Sequence, residues 1–148
     1  MPVPYRKILV AYNGAPESRA ALEEAARIAG GEAMEVHVAA VMNTAAYLVA
    51  GEYVPEMTLA AGREELESDV KEAEAKLKER GLNVRSHLVI GEPVDVIARL
   101  VDSLGVDLLI LGHSRAKSFA MRWWRGSVDA LMIERVRCSI LIAADLKA

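Results

Sequence analysis

Residues 7–29 read KILVAYNGAPESRAALEEAARIA. Lys7–Tyr12 is a short apolar run closed by Asn13-Gly14, which predicts a buried strand and a turn. Pro16 suits the first helical position, because the N–H it lacks would be unpaired there anyway. Ala20, Ala21, Leu22, Ala25, Ile28 and Ala29 then form one helical face, and Gly30-Gly31 stops it.

The same alternation runs along the rest of the chain. Glu35–Val41 predicts a second strand. Asn43 to Glu56 has no clear period, holds Gly51 and Pro55, and predicts a loop. A long helix follows from about Met57 to Arg80, with Leu66, Val70, Ala73 and Leu77 at helical spacing. Its Glu67/Lys71, Glu72/Lys76 and Glu74/Lys78 pairs place the acid four residues before the base, the favoured order, and mark a solvated face. Val84–Ile90 predicts a strand, Gly91-Glu92-Pro93 a turn into a helix through about Leu104, and Asp107–Leu111 a strand. Gly126-Ser127 opens a last helix to about Arg135, and Ser139–Ala143 is the final strand. Short apolar strands alternating with helices predict one α/β domain over residues 1–148. It is a doubly wound, five-stranded parallel sheet with helices on both faces. Ligands of such sheets sit outside the carboxyl ends of the strands, where the strand order reverses. Asn13, Val38 and the run from Gly112 are expected on that edge.

The 148 residues are 53% apolar and 26% charged, with 18 Lys+Arg against 21 Asp+Glu and a net charge of −3. Nothing in that balance argues for nucleic acid or an acidic membrane surface. The single cysteine, Cys138, excludes a disulfide within the chain and a multi-cysteine metal site. No run of about 18 apolar residues and no leader pattern is present, so the expectation is a cytoplasmic protein.

The charge that stands out is local. Residues 112–127 read GHSRAKSFAMRWWRGS, with three Arg, one Lys and no acid. The Gly112-His113-Ser114 start resembles a nucleophile elbow, but no histidine follows Ser114 to take its proton, which argues against a serine hydrolase. The P-loop, the G-x-G-x-x-G fingerprint and H-E-x-x-H are all absent.

Taken together, "KILVAYNGAPESRAALEEAARIA", "GEPVDVIARLVDSLGVDLLILG" and "RGSVDALMIERVRCSILIA" resemble the universal stress protein family over nearly the whole chain. The resemblance implies a Rossmann-like fold, similar to adenine nucleotide α-hydrolases, and a site for ATP or another adenine nucleotide, with magnesium accompanying it. ATP-binding members carry G-x2-G-x9-G-[ST] after the fourth strand. Here Gly112 matches the first glycine, and Gly126-Ser127, followed by Val128, matches the end. Arg115 stands where the second glycine belongs, and the loop is one residue longer. His113 lies in the same run and could donate to phosphate.

On the first two strands the resemblance places Ala11, Asn13 and Val38 in the site. Asn13 replaces the usual aspartate and brings no charge, Val38 aligns with a position whose backbone reads adenine, and Ser18 is retained. Two readings of the basic loop stand. Arg115, Lys117, Arg122 and Arg125 supply phosphate charge in place of the glycine, or Arg115 fills the phosphate space and Trp123 or Trp124 covers the cleft. A third is that the charges are solvated and one Trp packs on the core.

His37 and His87 read as core histidines with no carboxylate partner evident, and Cys138 as buried and inert. Ser139–Ala143 would be an edge strand, and the resemblance implies that it pairs with its copy across a two-fold axis to give a homodimer. Three function classes follow. The leading one is a stress-related regulator that binds an adenine nucleotide. The others are a slow ATPase, disfavoured by the missing carboxylate, and a nucleotide-free module that docks a protein partner.

Overall fold

The computed structural model describes residues 5–13, 16–30, 33–43, 56–114 and 126–145. Through them run β1 (Lys7–Tyr12), α1 (Pro16–Ala29), β2 (Glu35–Met42), α2 (Glu56–Glu79), β3 (Asn83–Ile90), α3 (Pro93–Leu104), β4 (Leu108–Ser114), α4 (Gly126–Arg135) and β5 (Ser139–Asp145). The strands form one sheet in the order β3-β2-β1-β4-β5, with every neighbouring pair parallel. This is the doubly wound α/β arrangement expected from the sequence. The chain winds from β1 outward to β3, then crosses back to β4 and β5.

Successive strand residues face opposite sides, so each strand feeds two cores. Ile8, Val10, Val36, Val38 and Ala40 pack beneath Ala21, Leu22 and Ala25 of α1 and Val70, Ala73 and Leu77 of α2. Leu9, Ala11, Ala39, Val41, Leu109 and Leu111 pack against Ile97 and Val101 of α3 and Met132 of α4. Each fully buried Ile, Leu or Val here contributes about 1.5–3 kcal/mol.

Polar contacts fix the ends of the elements. Glu92 caps α3 by accepting from the Asp95 N–H at 2.9 Å, Pro93 follows it, and Gly105 closes the helix at φ +70°. At the amino edge of the sheet, the Asp107 carboxylate accepts from the Arg6 and Lys7 N–H groups at 2.8 and 3.1 Å. Lys7 Nζ donates to the Leu104 carbonyl at 2.8 Å.

On α2, Glu72–Lys76 and Glu74–Lys78 form at 3.0 and 3.7 Å, but Glu74 is not merely solvated. It is half-buried and accepts the Ser86 N–H of β3 at 2.7 Å. Burial would raise its pKa, yet the Ser86 hydrogen bond and the Lys78 and Lys71 charges hold it below the ordinary carboxylate value.

His37 does have a carboxylate partner, contrary to the sequence expectation. Its Nε2 lies 2.8 Å from Glu35 Oε1, and its Nδ1 lies 2.8 Å from His87 Nε2. A carboxylate only accepts, so His37 carries its proton on Nε2. Its bare Nδ1 then accepts from the His87 Nε2–H. His37 is 1% exposed, and burial lowers its pKa despite Glu35. Burial and the neighbouring His37 and Arg85 lower that of His87. Cys138 is half-buried, and burial pushes its thiol up, in keeping with an inert residue. Among the described residues no helix is long and apolar enough to cross a membrane.

Candidate functional site

The strand order reverses between β1 and β4, so their carboxyl ends diverge into the crevice where such sheets bind ligands. Register places the parts. Tyr12 pairs with Ala40 and Val10 is level with Ile110, so counting on puts Asn13 level with Val41 of β2 and His113 of β4. Asn13 and His113 therefore share the edge, as the sequence predicts.

Asn13 is held by a reciprocal contact. Its N–H donates to Ser18 Oγ at 3.2 Å, and the Ser18 hydroxyl donates back to Asn13 Oδ1. Ser18 is fully buried. The pair closes the strand-to-helix turn, which explains both residues locally. The aspartate expected here by resemblance would accept from Ser18 equally well.

Gly112 is the tightest position. It lies inside β4 rather than after it, because β4 continues in register with β5 through Gly112↔Ala143 and Ser114↔Asp145. A Cβ on Gly112 would sit 1.9 Å from the Glu17 carbonyl oxygen, 2.3 Å from its carbon and 2.9 Å from Ser18 N. The first turn of α1 presses directly on the sheet at this point. Gly112 is thus required for packing, whatever it also does for a ligand.

The same contact exposes a residue that sequence reasoning passed over. Glu17 is 3% exposed, and its Oε1 has no hydrogen-bond partner. It belongs to the sheet-facing stripe 17, 21, 25 of α1, a pattern visible in sequence. An acid in a helix's first turn is favoured by the helix dipole, which partly offsets its burial.

Two predicted site residues are not brought to the edge. Val38 lies mid-strand, fully buried, with Val10 beside it on β1 and Ser86 on β3. β2 runs on to Met42, so Val41 takes the level assigned to Val38. Ala11 is likewise fully buried in the α3/α4 core, paired with Ala39. His113 is exposed at the end of β4, within the strand rather than in a loop. Gly126, Ser127 and Val128 form the first turn of α4, the crossover helix that departs from this edge. Arg115, with Lys117, Arg122, Trp123, Trp124 and Arg125, lies outside the described residues.

Among the described residues no group of three His, Cys, Asp or Glu could hold a metal ion.

A family model described as the universal stress protein family matches residues 4–144. The chain belongs to the universal stress protein family. It is 28% identical over 142 residues to universal stress protein Rv1636 of Mycobacterium tuberculosis, covering 93% of this chain and 95% of the relative. Among solved structures it is similar to a universal stress protein in complex with cAMP, with TM-score 0.67, 24% identity, and 95% and 98% of the two chains covered. It is also similar to a universal stress protein family protein from Arabidopsis thaliana with AMP bound. That match has TM-score 0.65 and 16% identity and covers 94% and 91% of the chains. At these identities the structures establish the universal stress protein fold for this chain.

Proposed function

We propose that this universal stress protein binds an adenine nucleotide, ATP or AMP, in the crevice at the carboxyl ends of β1, β2 and β4, and acts in the cytoplasm as a stress-related regulator. The observation that carries the reading is the reversal of strand order between β1 and β4, with Asn13, Val41 and His113 level on that edge. The first turn of α4 offers backbone N–H groups suited to phosphate. The two family structures holding cAMP and AMP support the choice of ligand. In this reading the basic run supplies the phosphate charge, with Arg115 in place of the glycine. Asn13 brings no negative charge, so the site binds rather than turns over ATP.

The test is calorimetric titration of the protein with magnesium-ATP, after nucleotide released by denaturation has been identified by mass spectrometry. Saturable binding is expected, and Arg115→Glu should weaken it by roughly tenfold or more, the scale of a lost charge-assisted hydrogen bond. No released nucleotide and no heat at about millimolar ATP would favour the nucleotide-free docking module instead.

The second part of the reading is a homodimer through β5. This strand forms the sheet's outer edge beside β4, and Ile142 on it is 41% exposed. An apolar edge invites pairing with another copy. Sedimentation should give a dimer at micromolar protein, and Ile142→Asp should shift it to monomer. A wild-type monomer across that range would refute the pairing.

A further inference from the structure

A groove of about 380 Å3 separates α1 from α2 on the sheet face they share. Tyr12, Leu22, Ala73 and Leu77 give it apolar surface, and its volume falls within the range of small-molecule sites, roughly 300–1,000 Å3. Most of the charges around it are already satisfied. Arg80 forks onto both Glu23 carboxylate oxygens at 3.1 Å, and Lys76 pairs with Glu72 at 3.0 Å.

Three lining charges are without a protein partner among the described residues, one of them Glu79 at the end of α2. Arg19 on α1 and Asp69 on α2 both line the groove, and neither makes a hydrogen bond or ion pair among the described residues. They feel each other's charge across the groove without touching. Asp69 is half-buried and crowded by Glu65 and Glu72. Burial first, then those two acids, push its pKa up, and Arg19 only partly reverses the shift. A half-buried carboxylate crowded by other acids is a natural acceptor for an ammonium group, and an exposed guanidinium for a carboxylate.

We propose that the α1/α2 groove binds a small zwitterion of the α-amino acid type with an apolar side chain. Its carboxylate meets Arg19, its ammonium meets Asp69, and its side chain lies on Leu22, Ala73 and Leu77. Neither charged wall alone selects such a ligand, because the two charges must be spaced across one molecule.

Free L-leucine is the probe, followed by chemical-shift changes in the isotope-labelled full chain at up to about 10 mM. Leucine is expected to shift resonances of Tyr12, Leu22, Ala73 and Leu77 saturably. Leucinamide, which lacks the carboxylate, and N-acetylleucine, which lacks the ammonium, should each bind roughly tenfold or more weakly. Arg19→Gln and Asp69→Asn should each weaken leucine by a similar factor with the denaturation midpoint unchanged, since both alter side chains at the groove surface. Three results would overturn the proposal: no shifts at the groove, equal binding of leucinamide or N-acetylleucine, or full leucine binding by both variants.

Discussion

Gly112→Ala is expected to destabilise the protein by about 3 kcal/mol or more, read as a fall in the urea midpoint. The added Cβ meets backbone, not a side chain that could turn away. It would lie 1.9 Å from the Glu17 carbonyl oxygen and 2.3 Å from the carbon. Only a shift of α1 off the sheet relieves that contact. Such a shift unpacks Ala21, Leu22 and Ala25, which are all buried on the sheet-facing side of the helix. Gly81→Ala is the contrasting case. Its Cβ would meet nothing within 4 Å, and only the φ of +82° resists it, at about 1 kcal/mol. If Gly112 served the ligand alone, Gly112→Ala would lower nucleotide affinity and leave the midpoint within about 1 kcal/mol of the parent. That outcome would contradict the packing account.

The second large effect concerns the Glu35–His37–His87 chain. His37→Ala should cost about 3 kcal/mol near pH 7.5, because it opens a cavity and leaves Glu35 and His87 without their partner. The pH dependence carries the sharper signature. Both imidazoles have folded pKa values below the ordinary 6.5, so the unfolded chain binds protons that the folded chain resists. Stability is therefore retained above about pH 6.5 and lost as pH falls from there towards the lowered folded values.

The charges around the pair are mixed. Glu35 and Glu74 favour protonation, while Arg85 and Lys7 oppose it, and burial outweighs them all. Carboxylates titrate mainly below about pH 5, so the histidine effect is separable between about pH 5.5 and 7.5. Urea midpoints across that window should fall with acid in the parent and flatten in His37→Ala. An equal slope in both would show that the pair does not set the acid sensitivity.

Much of the fold was legible in the sequence because buried parallel strands are short, apolar and bounded by turn residues. Lys7–Tyr12 and Gly126–Arg135 match the expected bounds, and the order of elements follows the alternation throughout. β4 ran further than expected because Gly112-His113-Ser114 carries turn-like residues, and only its ladder with Ala143–Asp145 makes it strand.

The candidate site was less legible because it depends on register between strands that are distant in sequence. The sequence placed Val38 on the carboxyl edge, but register with β1 puts Val38 level with Val10 and leaves Val41 level with Asn13. The Glu35 partner of His37 was missed although the spacing carried the signal, since residues two apart on a strand share a face. The contact of His37 with His87 needed the neighbouring strand. Glu17 was hidden by its residue type, because a first-turn acid ordinarily faces water.

In the proposed function, an adenine nucleotide occupies the crevice where β1 and β4 part. The most direct measurement is an amide chemical-shift map of the labelled protein with and without magnesium-ATP. The account predicts changes concentrated at Asn13, at Val41 to Asn43, at Gly112 to Ser114 and at the first turn of α4 from Gly126 to Val128, with the amino edge near Asp107 and Glu35 unmoved. Changes confined to another face, or a spectrum indifferent to ATP at about millimolar concentration, would contradict it.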